Sequence, residues 1–365
     1  MSNPSVRDAS ARGDAASGFL PEIHRLRAIA ILMIVGAHCY QCFAWSGKEG
    51  VEAVFKDTFD NSSLLFIFVT GFLFQHTEKD RFGYGRYLQR KLRNVIVPFA
   101  LALVPAIAYA LLRSRTGVPD DPFWSANALT RILYYLVWPG ETMNYALWFI
   151  PVIAVYYLAS PLLHAVDRSN AYWILPVLVP LSLLLHRPTY NQGHNLSLAV
   201  YFLSAFVLGM AFARHWARLA PWLQRHAVAS WIAFGAVFLA HLLLSDHHGK
   251  STTQDPFETQ GTEGLIDWIY FQKLLMVVAL LAALRRLGGR PARMLDAIAG
   301  ASFTIFFYHL YFIYGLRWTI QFAPVEFRPG YFLGLLVLSV GPPFLIALAA
   351  RRLFGDRSRM LVGAA

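Results

Sequence analysis

The sequence predicts an all-α membrane protein with about ten transmembrane helices and with both termini in the cytoplasm. Hydrophobic residues make up 56% of the 365 positions and charged residues only 15%, whereas soluble domains carry roughly 25% charged residues. The hydrophobic residues are gathered in long runs, and about 20 such residues cross the hydrocarbon core of a bilayer as a helix. A polytopic helical fold follows from these two observations.

Ten apolar segments are predicted to span the membrane. The fifth and sixth are the least regular, because Pro176, Pro180 and a short polar link at 187–195 interrupt them. The segment 127–138 is too short to cross a bilayer, and we expect it to lie at an interface. The predicted limits are 26–45, 61–77, 95–113, 145–165, 171–186, 196–213, 227–245, 265–284, 298–320 and 330–352.

The basic residues orient these spans. If the N-terminus is cytoplasmic, most of the 32 Lys and Arg residues fall in the inner segments, as the positive-inside rule predicts. The net charge of +11 therefore indicates topology, and we expect no nucleic-acid partner. The sequence divides into a disordered cytoplasmic tail at 1–18, a membrane domain at 19–355 and a cytoplasmic tail at 356–365.

The first span contains two ionisable residues, Arg27 and His38. Eleven steps of ~100° bring the two side chains to within about 20° of each other, three turns and ~16 Å apart along the helix. Arg27 would then lie at the cytoplasmic rim and His38 near the midplane. Ionisable residues in apolar spans are rare and usually functional. The pattern fits either an interfacial anchor with a hydrogen-bonded core histidine, or a polar shaft for an elongated anionic molecule with a reactive tip.

Five further segments follow in order along the chain. They are LLFIFVTGFLF with Thr70, RKLRNVIVP with Arg90 and Arg93, YALWFIPVIAVYYLASPLL with Trp148, YFLSAFVLGM, and ASFTIFFYHLY with Ser302, Tyr308 and His309. Together with the Arg-x10-His spacing of the first span, they resemble the acyltransferase type 3 family over roughly 20–350. Members of that family are integral-membrane enzymes that transfer acyl groups, commonly acetyl, to extracellular glycans and related acceptors.

The resemblance implies that the domain 19–355 is an acyl-CoA-dependent O-acyltransferase, with Arg27, His38 and His309 as its catalytic residues. The donor would be acyl-CoA, and we expect acetyl-CoA as a substrate with no bound cofactor. Arg90 and Arg93 would hold its phosphates, because arginine forks match phosphate geometry. Ordinary positive-inside charge is the alternative for this basic loop.

The acceptor is expected to be a hydroxyl of an exopolysaccharide, a lipopolysaccharide or a lipid-linked saccharide. Its site would be lined by Ser302, Tyr308, Trp148 and Thr70. Low polarity near the midplane favours the neutral form of His38, which can then accept a proton from that hydroxyl. The expected location is the bacterial cytoplasmic (inner) membrane, with membrane lipids as partners.

Two positions depart from the family pattern. His24 stands where relatives often have Asp, and Gly300 stands where a glutamate usually precedes the serine of the last motif. If that glutamate assists acceptor activation in relatives, another group does so here or the substrate differs.

Other chemistry-bearing residues carry weaker signals. Cys39 and Cys42 lack the four ligands of a structural zinc site, and a disulfide within one helical turn is awkward, so we expect two buried thiols. We expect no metal site, and His247 and His248 are interpreted as part of a solvated loop. The segment HLLLSD (241–246) copies a His-x4-Asp spacing of other acyltransferases, and we interpret it as coincidence.

Two other functions compete with this interpretation. A polysaccharide-export or proton-coupled transport component would also have ten spans, with His38 and His309 as proton relays. Another type of membrane-bound acyltransferase would also place a histidine in an apolar helix. The absence of a visible inverted repeat disfavours the transporter, and the Arg-x10-His and Arg-x-x-Arg spacings disfavour the second enzyme type.

Overall fold

Helices account for nearly all regular structure in the computed structural model of the chain. The structure describes residues 20–113, 127–189, 195–250, 252–253, 266–320, 323 and 325–364. The predicted tail at 1–18 lies outside them. The all-α prediction is confirmed, since the structure is 83% helical.

The first half of the chain forms nine helices within the described residues. A π-helical turn, Leu92–Ile96, joins α4 to α5, at the point where Pro98 cannot donate to the carbonyl four residues earlier. The helices are α1 (Pro21–Tyr40), α2 (Glu49–Phe59), α3 (Ser63–Glu78), α4 (Tyr84–Lys91), α5 (Val97–Arg113), α6 (Ala128–Val137), α7 (Phe149–Leu158), α8 (Ser160–Arg168) and α9 (Leu175–Leu184).

The second half contains longer helices. The longest are α14 and α15, and each contributes a face to the interior. In order, the helices are α10 (Asn195–Arg214), α11 (Trp216–Arg225), α12 (Ala227–Leu244), α13 (Trp268–Leu284), α14 (Gly289–Thr319), α15 (Pro329–Phe354) and α16 (Ser358–Val362). Short 3₁₀ turns lie at Pro139–Glu141, Tyr145–Trp148, Tyr172–Ile174 and Gly355–Arg357.

The structure is that of an integral membrane protein. Six helices among the described residues are long and apolar enough to cross a bilayer, or seven if the pair Tyr145–Leu158 and Ser160–Arg168, bent by 56°, counts as one span. Other expected spans correspond to shorter helices: Tyr172–Leu184 and Trp268–Leu284 are apolar but short, and α3 has 16 residues. The segment expected at an interface is the ten-residue α6.

The centre of the molecule is a close crossing of α3 and α10. Gly71 lies against the backbone carbonyl of Phe206, and Gly209 lies against that of Phe68. No side chain would fit at either glycine, so the two backbones approach as helices do at small-residue interfaces in membranes. Phe68, Phe72 and Phe206 fill the space around this crossing and are almost fully buried.

Two short parallel strand pairs tie together loops that are distant in the sequence. Phe43–Ala44 (β1) pairs with Val325–Glu326 (β4), and Arg187–Pro188 (β2) pairs with Thr252–Thr253 (β3). The first pair joins the end of α1 to the start of α15. The second places Arg187 beside the loop that follows α12. Arg187 and this loop are both part of the candidate site described below.

The C-terminal segment packs against the helix bundle. Residues 358–362 form α16, and Ser358 and Ala364 are buried. Gly363 has a positive φ of 76° and lies against the side chains of Phe303 and Phe307. The segment expected as a cytoplasmic tail at 356–365 is therefore, as far as residue 364, a structured end of the bundle.

Candidate active site

The two ionisable residues of the first span lie on one stripe of α1, as their spacing predicts. Around them, Leu26, Ile31 and Val35 of the same helix are fully buried in the core. Arg27 and His38 are each only partly buried. Arg27 and His38 therefore keep some exposed surface, although they lie on a helix that is largely packed into the core.

A second stripe, on α14, runs alongside the first. Near one end, the Arg27 guanidinium donates to the carbonyl oxygen of Ala299 at 2.7 Å. Near the other end, the ring centroids of His38 and His309 lie 5.3 Å apart. Because the steps from Arg27 to His38 and from Ala299 to His309 are almost equal, α1 and α14 run parallel and in the same direction.

Buried polar atoms without a hydrogen-bond partner lie along this parallel pair. Among the described residues, the Nε of Arg27, the Oγ of Ser302 and the Nε2 of His309 are all buried and unpaired. Ser302 and His309 are seven residues apart on α14, so they share one face of it. Buried polar atoms in native structures are normally satisfied. The line of these three unpaired atoms along α1 and α14, here called the path, is where a polar ligand or water would find hydrogen-bond partners.

His309 has a defined tautomer. Its Nδ1–H donates to the carbonyl oxygens of Ile305 at 3.1 Å and Phe306 at 2.9 Å. A neutral imidazole that donates from Nδ1 has Nε2 as its acceptor. The unpaired Nε2 is thus a hydrogen-bond acceptor facing the shared path.

His38 lies at the base of a polar cavity. Its Nδ1 is 3.1 Å from the hydroxyl oxygen of Tyr145, and the two rings meet edge to face at 5.2 Å. Tyr145 begins the 3₁₀ turn Tyr145–Trp148, which aims both Tyr145 and Trp148 at the cavity. The cavity encloses about 580 Å³ including its open mouth, and its lining includes His38, Tyr145, Trp148, Asp60, Arg187 and Lys250.

Two cations in this cavity were not predicted from the sequence. The Arg187 guanidinium lies 5.0 Å above the Trp148 ring and 5.8 Å from the ring of Phe202. Burial lowers the pKa of Lys250, and the carboxylate of Asp60 partly offsets this effect. Both Arg187 and Lys250 act electrostatically on His38, so the cavity combines two cationic side chains with the carboxylate of Asp60.

Basic residues from three helices surround the Arg27 end of the stripe. Arg351 and Arg359 act electrostatically on Arg27, and the Nε and Nη2 atoms of Arg351 are buried with no hydrogen-bond partner among the described residues. Glu78, Arg359 and Arg90 act electrostatically on Lys91, with the carboxylate of Glu78 opposing the two arginines. The structure therefore gathers a cationic cluster where the sequence predicts a phosphate site.

Arg90 and Arg93, the predicted phosphate ligands, differ in their surroundings. One terminal nitrogen of Arg90 binds both carboxylate oxygens of Glu78, at 2.7 and 2.8 Å. Arg90 remains 56% exposed in this pair, so its remaining N–H groups can reach another anion. Arg93 lies on the π-helical turn and is exposed.

The remaining predicted lining residues lie elsewhere. The hydroxyl of Thr70 donates to the Phe66 carbonyl of its own helix at 2.8 Å. Tyr308 is partly buried, with its ring 6.3 Å from that of Tyr311. Among the described residues that line the cavity with His38, Trp148 is present and neither Thr70 nor Tyr308 is.

His24, one of the two positions that depart from the expected pattern, contacts both α1 and α14, whereas nothing in the structure explains Gly300. His24 lies 3.4 Å from the Arg27 guanidinium and 3.1 Å from the Asp296 carbonyl oxygen. Asp296 in turn pairs with both sides of the Arg25 fork, at 2.9 and 3.1 Å. An acidic group thus stands near this position, but it comes from α14 and not from residue 24.

The two cysteines are free thiols, as expected. Cys39 is buried with its sulfur 3.7 Å from the Ser339 hydroxyl. Cys42 is partly buried and donates to the His38 carbonyl oxygen at 3.3 Å. Both contacts stabilise the end of α1 that carries His38.

One comparison with known proteins is informative. A family model described as "Acyltransferase domain" (Acyl_transf_3) matches residues 20–348, nearly the whole chain. No curated protein and no solved structure matches the chain. The matched region contains Arg27, His38, His309 and the cavity.

Proposed function

The chain belongs to the acyltransferase type 3 family, and from this premise we propose that it moves an acyl group, acetyl in the first instance, from acyl-CoA to a saccharide hydroxyl. The acceptor is an exopolysaccharide, a lipopolysaccharide or a lipid-linked saccharide. The single observation that carries the proposal is the row of unpaired polar atoms along α1 and α14, with Arg27 at one end and two adjacent histidines at the other.

The donor fits the path by length and by chemistry. Coenzyme A has a phosphate-bearing nucleotide at one end and a thin pantetheine arm that carries the thioester at the other. Arg27 and His38 are ~16 Å apart along α1, which an extended arm can span. The amide groups of the arm would satisfy polar atoms, such as the Oγ of Ser302, that have no partner among the described residues.

The phosphates would lie in the cationic cluster. Arg27, Arg351 and Arg359 come together there, and Arg90 and Arg93 flank the cluster on the next basic segment. Charge-assisted bonds to phosphate are stronger than neutral ones. Arg351 supplies two buried N–H-bearing nitrogens without a partner among the described residues, which makes it the strongest added candidate.

His38 would act as the general base. If its Nδ1–H donates to the Tyr145 oxygen, its Nε2 is free to accept the proton of the acceptor hydroxyl. The hydroxyl oxygen then attacks the thioester carbonyl, the C–S bond breaks, and the proton passes from His38 to the departing CoA thiolate. His309 Nε2 lies on the donor side of this reaction, where it can accept a hydrogen bond from the pantetheine arm.

The acceptor would enter through the cavity mouth, at the opposite end of the path from Arg27. Trp148 offers an aromatic face for a sugar ring, and Arg187 and Lys250 offer donors for its hydroxyl or acidic substituents. The donor and the acceptor would thus approach His38 from opposite ends.

The proposed orientation has both termini in the cytoplasm, ten spans, and the Arg27 end facing inward, in the bacterial inner membrane. Acyl-CoA is cytoplasmic, so this orientation puts the cationic cluster on the donor side. It follows the positive-inside distribution of the sequence, which counts Arg351 and Arg359 among the inner residues.

The test is acyl transfer by the purified protein in detergent. The protein would be incubated with [¹⁴C]acetyl-CoA and saccharide extracts, and the label in the saccharide would be counted together with released CoA. An active enzyme labels the saccharide with one CoA released per acetyl group, and the His38→Ala variant does not. No labelling across acceptors, in protein that binds acetyl-CoA, would contradict the transfer and favour an export or transport role.

A further inference from the structure

A compact group of possible metal ligands lies beside the cavity, at the end of the molecule opposite Arg27. Asp57 is on α2, His241 is near the end of α12, and His248 is in the loop that follows. Their ligand atoms all lie within 4.8 Å of one another. Three separate parts of the chain therefore meet at one point.

Two of the distances within this group are close to those of a tetrahedral metal site. The Nδ1 atoms of His241 and His248 each lie 3.1 Å from the same oxygen, Oδ2 of Asp57. Ligands about 2.0–2.2 Å from a tetrahedral zinc ion lie roughly 3.3–3.5 Å apart. Small shifts of the two rings would thus admit an ion between the three atoms.

The surroundings orient the Asp57 carboxylate and leave the group accessible to an ion from solvent. The Gly249 N–H donates to the other oxygen, Oδ1 of Asp57, at 2.8 Å, which is how outer hydrogen bonds hold metal ligands in place. The Asp57 side chain is fully buried, whereas that of His248 is 23% exposed. An ion can therefore reach the group from the loop side.

We infer that Asp57, His241 and His248 bind a divalent transition-metal ion, with Zn²⁺ the best match to two imidazole nitrogens and one carboxylate oxygen. A water molecule or a further ligand takes the fourth position. The same contacts in a metal-free protein would be two Nδ1–H donors on one carboxylate, and that arrangement is the competing explanation.

The ion would order one wall of the cavity that contains His38. Gly249 directly follows His248 and has a φ of +85°, with no room for a side chain because Asp60 and Lys56 lie against it. The next residue, Lys250, donates its N–H to Oδ2 of Asp60 at 3.1 Å, and both residues line the cavity. Binding the ion fixes His248 and therefore the position of Lys250. The role is structural, and it does not depend on the proposed acyl transfer.

The test measures metal binding directly. The full-length protein, purified without a histidine tag, is stripped with a chelator, desalted, incubated with ZnCl₂ and desalted again. Bound zinc is measured by mass spectrometry, and the affinity by competition with a chromophoric chelator. We expect one Zn²⁺ per wild-type chain and a melting temperature that rises with added zinc.

The decisive variant is His248→Ala, because this partly exposed loop residue can be removed with little effect on folding. We expect it to weaken zinc binding at least 10-fold and to abolish the thermal shift, as should Asp57→Asn. His226→Ala, which changes an exposed histidine outside the group, should bind like wild type. Folded wild-type protein that retains no zinc, or a His248→Ala variant that binds as tightly as wild type, would overturn the inference.

Discussion

At the scale of single residues, substitution of His38 is the most direct test of the proposed mechanism. A positioned general base contributes typically 10²–10⁴-fold to turnover, so His38→Ala should lower turnover by that factor. Acyl-CoA affinity should stay near the wild-type value, because the proposed phosphate contacts lie ~16 Å away along α1. The measurement is turnover per folded molecule together with donor affinity.

A structural histidine would give a different result. The contacts of His38 with Tyr145 and His309 would then matter for packing alone, and His38→Ala would lower the melting temperature while turnover per folded molecule stayed close to wild type. That outcome would refute the proposed role and make His309, whose Nε2 is buried and unpaired among the described residues, the next candidate base.

Arg351 and Arg352 offer a matched pair at the donor end. Arg351 is partly buried beside Arg27, and its neighbour Arg352 is exposed. Losing a charge-assisted bond costs about 1.5–3 kcal/mol, so Arg351→Ala should raise the KM for acyl-CoA roughly 10-fold or more. Arg352→Ala removes the same charge one residue away and should leave KM near wild type. Equal effects of the two variants on KM would show that the cluster acts only as general surface charge and not as a phosphate site.

The double variant of Arg90 and Arg93 tests the loop that the sequence singled out. Both residues flank the cationic cluster, so Arg90→Ala combined with Arg93→Ala should raise the KM for acyl-CoA with little change in kcat. Arg90 also pairs with the buried Glu78, and its removal leaves that carboxylate without its partner, so the melting temperature is the control for folding. Wild-type donor kinetics in this variant would argue against phosphate docking here.

The sequence predicted part of this site, and the reason is local spacing. Arg27 and His38 are on one helix, so helical periodicity alone places them on one face. Arg187, Lys250 and Arg351 reach the site from loops and helices far along the chain. Arg187 and Lys250 are positioned by a pair of two-residue strands and by a glycine with positive φ. Neither feature has a periodic sequence pattern from which these contacts could be predicted.

At the scale of elements, the crossing of α3 and α10 controls stability. A methyl group at Gly71 would collide with the Phe206 carbonyl, and backbone cannot move aside as a flexible side chain can. Gly71→Ala should therefore destabilise the protein by about 1–3 kcal/mol, the usual cost of overpacking. The measurement is the loss of folded protein with temperature in detergent.

Gly235 is the matched control within the other long helices. It lies exposed on α12, and nothing approaches the position of an added methyl group within 4 Å. Gly235→Ala should leave stability unchanged or raise it slightly, because alanine favours helix more than glycine does. A Gly71→Ala variant as stable as Gly235→Ala would show that the two helices separate more easily than their packing indicates.

Element boundaries were harder to predict than element type. Every expected span contains a helix among the described residues, because long apolar runs have few other options in a bilayer, but the span expected at 26–45 ends in the strand Phe43–Ala44. The break between α7 and α8 was not expected, although Pro161, which lies in the first turn of α8, is the residue in the sequence that indicates it. The packing of the C-terminal residues was also not predicted, because they contact Phe303 and Phe307, which are distant in the sequence.

At the scale of the whole molecule, the proposed function requires one orientation in the membrane. The Arg27 end must face the cytoplasmic acyl-CoA, and the cavity mouth must face the opposite side. Arg86 is exposed on α4, at the Arg27 end, and Glu49 is exposed on α2, at the other end. Because α1 runs from one end to the other, these two positions report opposite sides.

Cysteine accessibility measures this orientation. In a chain whose native Cys39 and Cys42 are changed to alanine, Glu49→Cys should react with a membrane-impermeant maleimide in intact cells. Arg86→Cys should react only after the membrane is permeabilised, because the basic segment around it is predicted to be cytoplasmic. Turnover of each labelled variant checks that the fold is intact. The reverse labelling pattern would put the cationic cluster out of reach of cytoplasmic acyl-CoA, and the histidine pair would then need a donor from the other side.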